Sequence, residues 1–224
     1  MSQSYDLIVI GAGMAGVAAA NKCAAQGWSV AIVDSLPYGG TCALRGCDPK
    51  KILRRGAEII DNARLMRGKG IDDADLSINW PDLMKHKHGF ADPVPRGAED
   101  GLTGSDVTTL HGHARFTGPR QLEIDGAPYD ADRFLVATGA RARPLEFPGH
   151  EHLIDSTDFL DALPSRILFV GGGFISFEFA HITARAGSRA VIVDRGERPL
   201  KSFDPDLVEP GGSQVRGRPA DSTP

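Results

Sequence analysis

The sequence has few cysteines, no long apolar run and no excess of charge of one sign, and each of these absences narrows its class. Three cysteines in 224 residues are too few for the disulfide framework of a small secreted protein. No stretch approaches the roughly 18 consecutive apolar residues of a membrane helix, and the start lacks the basic segment of a signal peptide. A formal net charge of −4 gives no global attraction to nucleic acid or to an anionic membrane. We therefore expect a cytoplasmic protein with neither a nucleic-acid nor a membrane partner.

A strand, a glycine turn and a helix are predicted at the start of the chain. The β-rich run over 5–10 leads into GAGMAG, an alanine-rich helix over 17–26 that Gly27 ends, and a strand over 29–33 that stops at Asp34. Such an order is typical of a βαβ unit with two parallel strands.

The glycines of this turn have the spacing of a dinucleotide-binding motif, Gly11-x-Gly13-x-x-Gly16. The first glycine permits the tight turn, the second lets a pyrophosphate approach the backbone, and the third lets helix and strand pack closely. Asp34 stands where an acid accepts hydrogen bonds from a ribose hydroxyl. Glycine turns before helices also occur for packing alone, but the strand, the helix and the matched acid together favour dinucleotide binding.

A second copy of the pattern occurs late in the chain. A strand over 166–170 precedes GGGFIS, and a helix over 177–186 precedes a strand over 190–193 that stops at Asp194. The acid follows the first glycine at the same distance as in the first copy, although Ser176 takes the place of the third glycine. The simplest interpretation is a second, independent dinucleotide site.

The intervening sequence predicts helices and then strands. Residues 51–90 have helical character, a proline-interrupted stretch covers 92–95, and residues 107–137 are β-rich with an Asp-Gly turn. Prolines at 144 and 148 indicate a linker.

The fold class is thus α/β, with a Rossmann-like parallel sheet and part of a second Rossmann-like domain. The predicted domains are 1–150 for the first dinucleotide and 151–208 for part of the second. The remainder, 209–224, is rich in Pro, Gly, Ser and Arg without apolar periodicity and is predicted to be disordered.

Two cysteines, Cys42 and Cys47, lie in the segment GGTCALRGCDPK and could form a metal clamp, a structural disulfide or a redox pair. A zinc site needs four ligands, and no histidine has the matching spacing. Five residues apart on a regular helix, two Cα atoms are about 8.6 Å apart, which exceeds the roughly 7 Å that a disulfide allows. If the two cysteines pair, the helix must therefore be broken between them. Gly46 and Pro49 place the start of a regular helix near Cys47, where the positive helix end stabilises a thiolate.

The segment GGTCALRGCDPKK, together with GxGxxG, ATG at 137–139 and GGGFISFEFA at 171–180, resembles the class I flavin (pyridine nucleotide) disulfide oxidoreductases. The sequence PKK is most similar to that of the glutathione reductase branch. The resemblance extends over about residues 4–208 and implies that FAD and NADPH serve as cofactors, with NADH as the alternative.

The resemblance implies which residues hold FAD and which carry electrons. Cys47 matches the thiol next to the flavin, Cys42 the thiol that attacks the disulfide substrate, and Lys50 a lysine near flavin N5 that pairs with Glu178. The implied FAD residues are Gly11, Gly13, Gly16, Asp34, Gly40, Thr41, Lys50, Ala114 with neighbouring His113, Thr138 and Gly139.

The nicotinamide cofactor is implied to bind the second glycine turn. Phe174 replaces a tyrosine that commonly gates the nicotinamide pocket. Asp194 suits the 2′-hydroxyl of NADH, whereas Arg195, Arg198 and Lys201 suit the 2′-phosphate of NADPH, so we expect NADPH. The implied residues are Gly171, Gly173, Phe174, Asp194, Arg195 and Lys201.

The resemblance stops after residue 208. Complete family members continue with the rest of the nicotinamide domain and an interface domain that forms a homodimer and supplies an acid-base histidine. We therefore expect a truncated or frameshifted member with little or no turnover of its own. A non-catalytic remnant that binds nucleotide is the alternative to a small-molecule disulfide reductase.

Overall fold

The computed structural model describes residues 3–159, 163–196 and 198–208. The predicted disordered segment, 209–224, lies outside these described residues. The strands are β1 (Gln3–Ile10), β2 (Val30–Asp34), β3 (Val107–His111), β4 (Ala114–Gly118), β5 (Gln121–Ile124), β6 (Ala127–Val136), β7 (Arg166–Val170) and β8 (Arg189–Val193). The α-helices are α1 (Met14–Ala24), α2 (Gly40–Leu44), α3 (Cys47–Leu65), α4 (Trp80–Ala91), α5 (Val94–Thr103), α6 (Ser156–Phe159) and α7 (Phe174–Arg185).

The chain forms two compact units. One lies within Met1–Ile52 and Met84–Asp161, and the other within Leu53–Leu83 and Ala162–Pro224. Residues 53–83 thus group with the second unit by their contacts, whereas the sequence assigns them to the first domain. The predicted domain boundary near residue 150 stays a prediction.

A six-stranded sheet in the order β3-β2-β1-β6-β5-β4 forms the first unit. Its first four strands run parallel, and β4 and β5 add antiparallel pairs beside β6. This mostly parallel sheet with flanking helices confirms the predicted α/β, Rossmann-like class.

Alternation along β1 creates two cores, because successive side chains of a strand point to opposite faces. Leu7 and Val9 face a core that includes Ala20 of α1 and Leu102 of α5. Ile8 faces the opposite core with Leu122 of β5. Helices therefore cover one face of the parallel strands and the antiparallel strands cover the other.

The predicted Asp-Gly turn joins β5 to β6. Asp125 and Gly126 both have positive φ, 47° and 88°, and Ile124 pairs directly with Ala127. Positive φ at both central residues is the geometry of a two-residue type I′ hairpin, so this prediction is confirmed.

The second unit contains the repeat of the βαβ pattern. Strands β7 and β8 pair in parallel, with Val170 opposite Val193, and α7 connects them. Gly187, with φ of 95°, follows the helix as predicted.

Helical bounds differ from the prediction in two respects. The helices that follow the glycine turns begin at Met14 and Phe174, three residues earlier than expected, because both glycine motifs run directly into the first helical turn. Residues 66–79 are not helical, although the range 51–90 was predicted to be so. Gly68 and Gly70 adopt φ of 72° and 99° in this segment, which interrupts helical geometry. Among the described residues, the helices are each too short or too polar to traverse a lipid bilayer.

Candidate dinucleotide and redox site

The first glycine turn is closed by backbone contacts that exclude side chains. Gly11 has φ of 108° and donates its N–H to the carbonyl oxygen of Val33 at 2.8 Å. A Cβ atom on Gly11 would overlap the carbonyl oxygen of Ala137, and one on Gly16 would overlap that of Gly11. The turn and packing roles predicted for Gly11 and Gly16 are therefore confirmed as geometry.

Gly13 leaves space at the start of α1. It is the N-cap residue with φ of −84°, and no side chain caps the helix there. A Cβ atom placed on Gly13 would have Gly40 Cα, at 3.8 Å, as its one neighbour within 4 Å. Open space before uncapped N–H groups at a positive helix end suits a phosphate. The cradle therefore fits the pyrophosphate of a dinucleotide.

Asp34 lies at the carboxyl end of β2 beside this cradle. Its two carboxylate oxygens accept the N–H groups of Ala12 at 2.8 Å and Leu36 at 2.9 Å. A carboxylate has about four acceptor positions, so two are left for further donors. The side chain is fixed in place and has the capacity to accept the ribose hydroxyls predicted for it.

The strand next to β2 brings the predicted adenine region to Asp34. Asp34 is in register with His111 of β3, and Gly112 donates its N–H to the carbonyl oxygen of Asp34 at 3.0 Å. His113 and the half-buried Ala114 follow directly. Their predicted contact with the adenine stays a prediction, although the topology brings them to the same edge of the sheet.

Sequence reasoning missed Tyr38, which supports this edge. Its side chain is fully buried, and its hydroxyl lies 2.7 Å from the carbonyl oxygen of Leu110 and accepts the Leu110 N–H at 3.0 Å. Burial raises the pKa of Tyr38 to about 12. His111 stacks edge-on against the ring at 4.9 Å and lies 2.5 Å from the Glu99 carboxylate. A tyrosine before two glycines gives no signal of this long-range contact.

The cysteine segment packs directly against the glycine turn. Gly39 donates its N–H to the carbonyl oxygen of Ala12 at 3.0 Å. A Cβ atom on Gly40 would lie 2.5 Å from Gly13 Cα, so only two glycines allow so close a backbone approach. Gly39 is a further residue that the sequence reasoning did not single out, and the signal available was the Gly-Gly pair. The two motifs therefore form one site.

The helix is broken between the two cysteines, as pairing would require. Helix α2 ends at Leu44 and α3 begins at Cys47, where Lys50 donates its N–H to the Gly46 carbonyl oxygen at 3.1 Å. The predicted start of the regular helix near Cys47 is confirmed.

Cys42 and Cys47 are both present as thiols. Cys42 is half-buried and Cys47 is exposed. A hydrogen bond with the Cys47 side chain, followed by burial and the nearby charges of Cys47 and Asp48, raises the pKa of Cys42. The two sulfurs are thus neighbours, in a position from which they can exchange electrons as a dithiol–disulfide couple.

The remaining residues predicted for FAD lie around the same turn. Thr41 is exposed in α2, and Lys50 is half-buried in the first turn of α3. Ala137 donates its N–H to the Ile10 carbonyl oxygen at 2.8 Å, which places the exposed Thr138 and Gly139 directly after it beside Gly11. Among the described residues, no group of three or more His, Cys, Asp or Glu side chains could hold a metal ion.

The second glycine turn has a related geometry within the second unit. Gly171 has φ of 114° and donates its N–H to the Val193 carbonyl oxygen at 2.8 Å. A Cβ atom on Gly172 would lie 2.6 Å from Asp194 Oδ2, so Asp194 closes over the turn. Gly173 is the N-cap of α7, which no side chain caps.

The loop after β8 folds back onto this turn. Leu200 donates its N–H to the Gly172 carbonyl oxygen at 2.7 Å. A Cβ atom placed on Gly196 would lie within 3.1 Å of both Lys201 Nζ and Asp194 Oδ2. Arg198 donates to the carbonyl oxygens of Lys201 and Phe203, each at 3.2 Å. Lys201 therefore lies beside Asp194, whereas Arg198 shapes the loop.

Two other predicted residues stand on α7, and one follows β8. Phe174 opens α7 and is 50% exposed. Glu178 is half-buried one turn later, and Arg195 is exposed after Asp194. The predicted pairing of Glu178 with Lys50 stays a prediction.

Fold and site together define a class of protein. A parallel α/β sheet carries a dinucleotide cradle, the cradle abuts a neighbouring thiol pair, and a second βαβ unit repeats the glycine turn. These are the features of a dinucleotide-binding redox protein with a thiol centre.

Comparison with known proteins gives the family. The sequence profile of the pyridine nucleotide-disulphide oxidoreductases matches residues 5–210, and the chain belongs to that family. Similar proteins include glutathione reductase from Burkholderia cepacia, 35% identical over 95% of this chain, and dihydrolipoyl dehydrogenase from Thermus scotoductus, 34% identical over 96%. Glutathione reductase from a Nostoc species is 32% identical over 92%. The matches cover 48%, 49% and 46% of those relatives, so the chain spans about half their length. The family is one of oxidoreductases, and the resemblance inferred from the motifs is confirmed.

Proposed function

We propose that the protein is an FAD-dependent NAD(P)H:disulfide oxidoreductase of the glutathione reductase type. The observation that carries this proposal is the backbone contact between Gly13 and Gly40. It joins the dinucleotide cradle to the segment that holds Cys42, so a cofactor on the cradle and the thiol pair share one site.

The residues that would hold FAD fit a dinucleotide. N–H groups at the start of α1 would bind the pyrophosphate, Gly13 would leave room for it, and Asp34 would accept the ribose hydroxyls. When bound, FAD supplies the two-electron transfer that links a nicotinamide nucleotide to a disulfide. The proposed role of Lys50, with Glu178, is to fix charge near the reactive part of the cofactor.

Cys42 and Cys47 would carry the substrate reaction. The Cys42 thiolate attacks one sulfur of the substrate disulfide and releases the first substrate thiolate, which takes up a proton. The Cys47 thiolate then attacks Cys42, forms the Cys42–Cys47 disulfide and releases the second substrate thiolate. The substrate gains two electrons and becomes two thiols, while the protein pair is oxidised. We assign attack on the substrate to Cys42 and the position next to the flavin to Cys47 on the basis of family resemblance.

NADPH is the proposed electron donor. The proximity of Lys201 to Asp194 supports this choice, because a lysine there can offset the carboxylate and bind a 2′-phosphate. The exposed Arg195 is a second candidate phosphate ligand. Steady-state rates with NADPH and NADH decide between the donors, and equal or better use of NADH would reject the proposal.

Glutathione disulfide is the first substrate to test. The proposal rests on the sequence GCDPKK, and the name of the Burkholderia relative supports it. A panel of glutathione disulfide, lipoamide and Hg(II) separates the branches of the family, and a preference for either of the last two would reject the glutathione assignment. We further propose a cytoplasmic location. A homodimer is proposed only for full-length members of the family, because the part of the family that this chain matches does not include the interface domain.

A second candidate is a protein that binds nucleotide weakly or not at all and has no catalytic activity. The observation in favour of nucleotide binding without catalysis is that the turns at Gly11 and Gly171 share the same closed geometry. Purified protein with a flavin spectrum and NADPH-dependent disulfide reduction supports the first function. Colourless, inactive protein supports the second.

A further inference from the structure

A carboxylate on α3 holds two side chains of α7 within the second unit. Asp61 Oδ2 lies 2.7 Å from His181 Nε2, and Asp61 Oδ1 accepts Arg185 Nε at 2.5 Å. Asp61 is about 29% exposed and Arg185 about 31%, so water screens the contacts only in part. Burial by itself would raise the pKa of Asp61, but the hydrogen bonds from Arg185 and His181 have the larger combined effect and lower the pKa. The three residues are called the α3–α7 clamp.

The clamp holds one stripe of α7. Residues at positions i, i+4, i+7 and i+11 of an α-helix lie within about 60° of one another around the helix axis. Phe174, Glu178, His181 and Arg185 have this spacing. The face held by Asp61 is thus the face that carries Phe174, assigned to the nicotinamide pocket, and Glu178, the predicted partner of Lys50.

Two contacts from successive turns restrict α7 more than one would. His181 and Arg185 approach different oxygens of the same carboxylate, so rotation of α7 about its axis breaks at least one hydrogen bond. Asp61 belongs to the part of α3 that lies in the second unit. The clamp therefore fixes the orientation of α7 against this part of α3, within the second unit.

We propose that Asp61 is a positioning residue for the nicotinamide nucleotide. It fixes the rotation of α7 and thereby the direction in which Phe174 and Glu178 are presented. This assignment rests on the proposed function, because it assumes that a nicotinamide dinucleotide binds at the start of α7.

The test compares three variants of the full 224-residue chain loaded with FAD. Asp61→Asn keeps the shape and removes the charge, and Asp61→Glu keeps the charge. Glu58→Gln is the matched control, because Glu58 lies one turn earlier on α3 and pairs only within that helix in the contacts seen, with Arg54 at 2.7 Å and Arg55 at 3.6 Å. The dissociation constant for NADPH is measured by fluorescence titration well below the melting temperature, and hydrogen exchange of α7 is followed by mass spectrometry.

Asp61→Asn is expected to weaken NADPH binding roughly tenfold, the effect of losing one charge-assisted hydrogen bond, and to speed exchange in α7. Asp61→Glu should restore most of the affinity, and Glu58→Gln should match the wild type in both measurements. A merely structural role would lower the melting temperature of Asp61→Asn without changing its affinity for NADPH, and that result would overturn the assignment. Unchanged exchange in α7 would also overturn it. If the wild-type chain does not bind NADPH, the proposed function fails at this site and the role of Asp61 fails with it. If the wild-type chain binds NADPH and Asp61→Asn binds it equally well, only the role of Asp61 is rejected.

Discussion

Substitution of Gly13 by alanine separates cofactor binding from folding. The backbone of Gly13 has φ of −84° and ψ of −175°, which alanine adopts without strain. The added Cβ would have Gly40 Cα as its nearest neighbour, at 3.8 Å, an ordinary van der Waals distance. The methyl group therefore fits the protein but occupies the cradle assigned to the pyrophosphate.

The expected effects on stability and affinity differ in size. The free energy of unfolding should fall by at most about 1 kcal/mol, since alanine is a poorer N-cap than glycine. Affinity for FAD should fall by about 1–3 kcal/mol, the usual cost of inserting a methyl group into a packed contact. That cost corresponds to a dissociation constant roughly 5- to 150-fold higher.

The assay is a titration of FAD into apoprotein, with quenching of flavin fluorescence as the signal and urea unfolding in parallel. Gly97→Ala is the matched control, because Gly97 lies in α5, away from the glycine turn, and its Cβ would meet nothing within 4 Å. It should bind FAD normally and gain about 0.4–1 kcal/mol of stability. Wild-type affinity for FAD in Gly13→Ala would refute the placement of the pyrophosphate on this turn.

Further substitutions test other parts of the account. Gly16→Ala should destabilise the apoprotein by roughly 1–3 kcal/mol in urea unfolding because its Cβ overlaps the turn, and unchanged stability would contradict the observed packing. Tyr38→Phe should cost about 1–2 kcal/mol by the same assay, since it leaves buried backbone groups unpaired. The raised pKa of Cys42 leaves less thiolate at a given pH, so the rate of Cys42 alkylation by iodoacetamide should reach half its maximum at a higher pH than that of an ordinary thiol. Cys47→Ala should lower this midpoint pH, and an identical pH profile would contradict an interaction between the two thiols. Asp61 has a lowered pKa, so its contribution to the free energy of unfolding is complete above about pH 4 and is lost as pH falls through the lowered value; Asp61→Asn should therefore cost about 1–2 kcal/mol at pH 7 and less near about pH 3, and a constant difference in stability would contradict it.

Local signals in the sequence predict much of the fold. The Asp125-Gly126 hairpin follows from turn chemistry, and the break before Cys47 follows from Gly46, Pro49 and the geometry of a helix. The strands β7 and β8 follow from β-rich runs beside glycines. Residues 66–79 were mispredicted because their two glycines were outweighed by the helical character of the flanking sequence.

Long-range contacts explain what the sequence could not provide. The approach of Gly40 to Gly13 depends on the path of the chain between them, and no periodicity encodes it. Asp61 and Arg185 are separated by 124 residues, and each alone resembles an ordinary charged residue on a helix surface. The nucleotide motifs could therefore be recognised from spacing, whereas their junction with the cysteine segment and the α3–α7 clamp required the structure.

The most direct test of the central claim is the reduction of the cysteine pair by NADPH through FAD. Oxidised protein is mixed anaerobically with FAD and NADPH, and free thiols are then alkylated and counted by mass spectrometry. We expect Cys42 and Cys47 to become alkylated together only when both cofactors are present. FAD alone or NADPH alone should not reduce the pair to free thiols. A chain that fails to bind FAD, or that binds it while the cysteine pair stays oxidised in NADPH, would contradict the account.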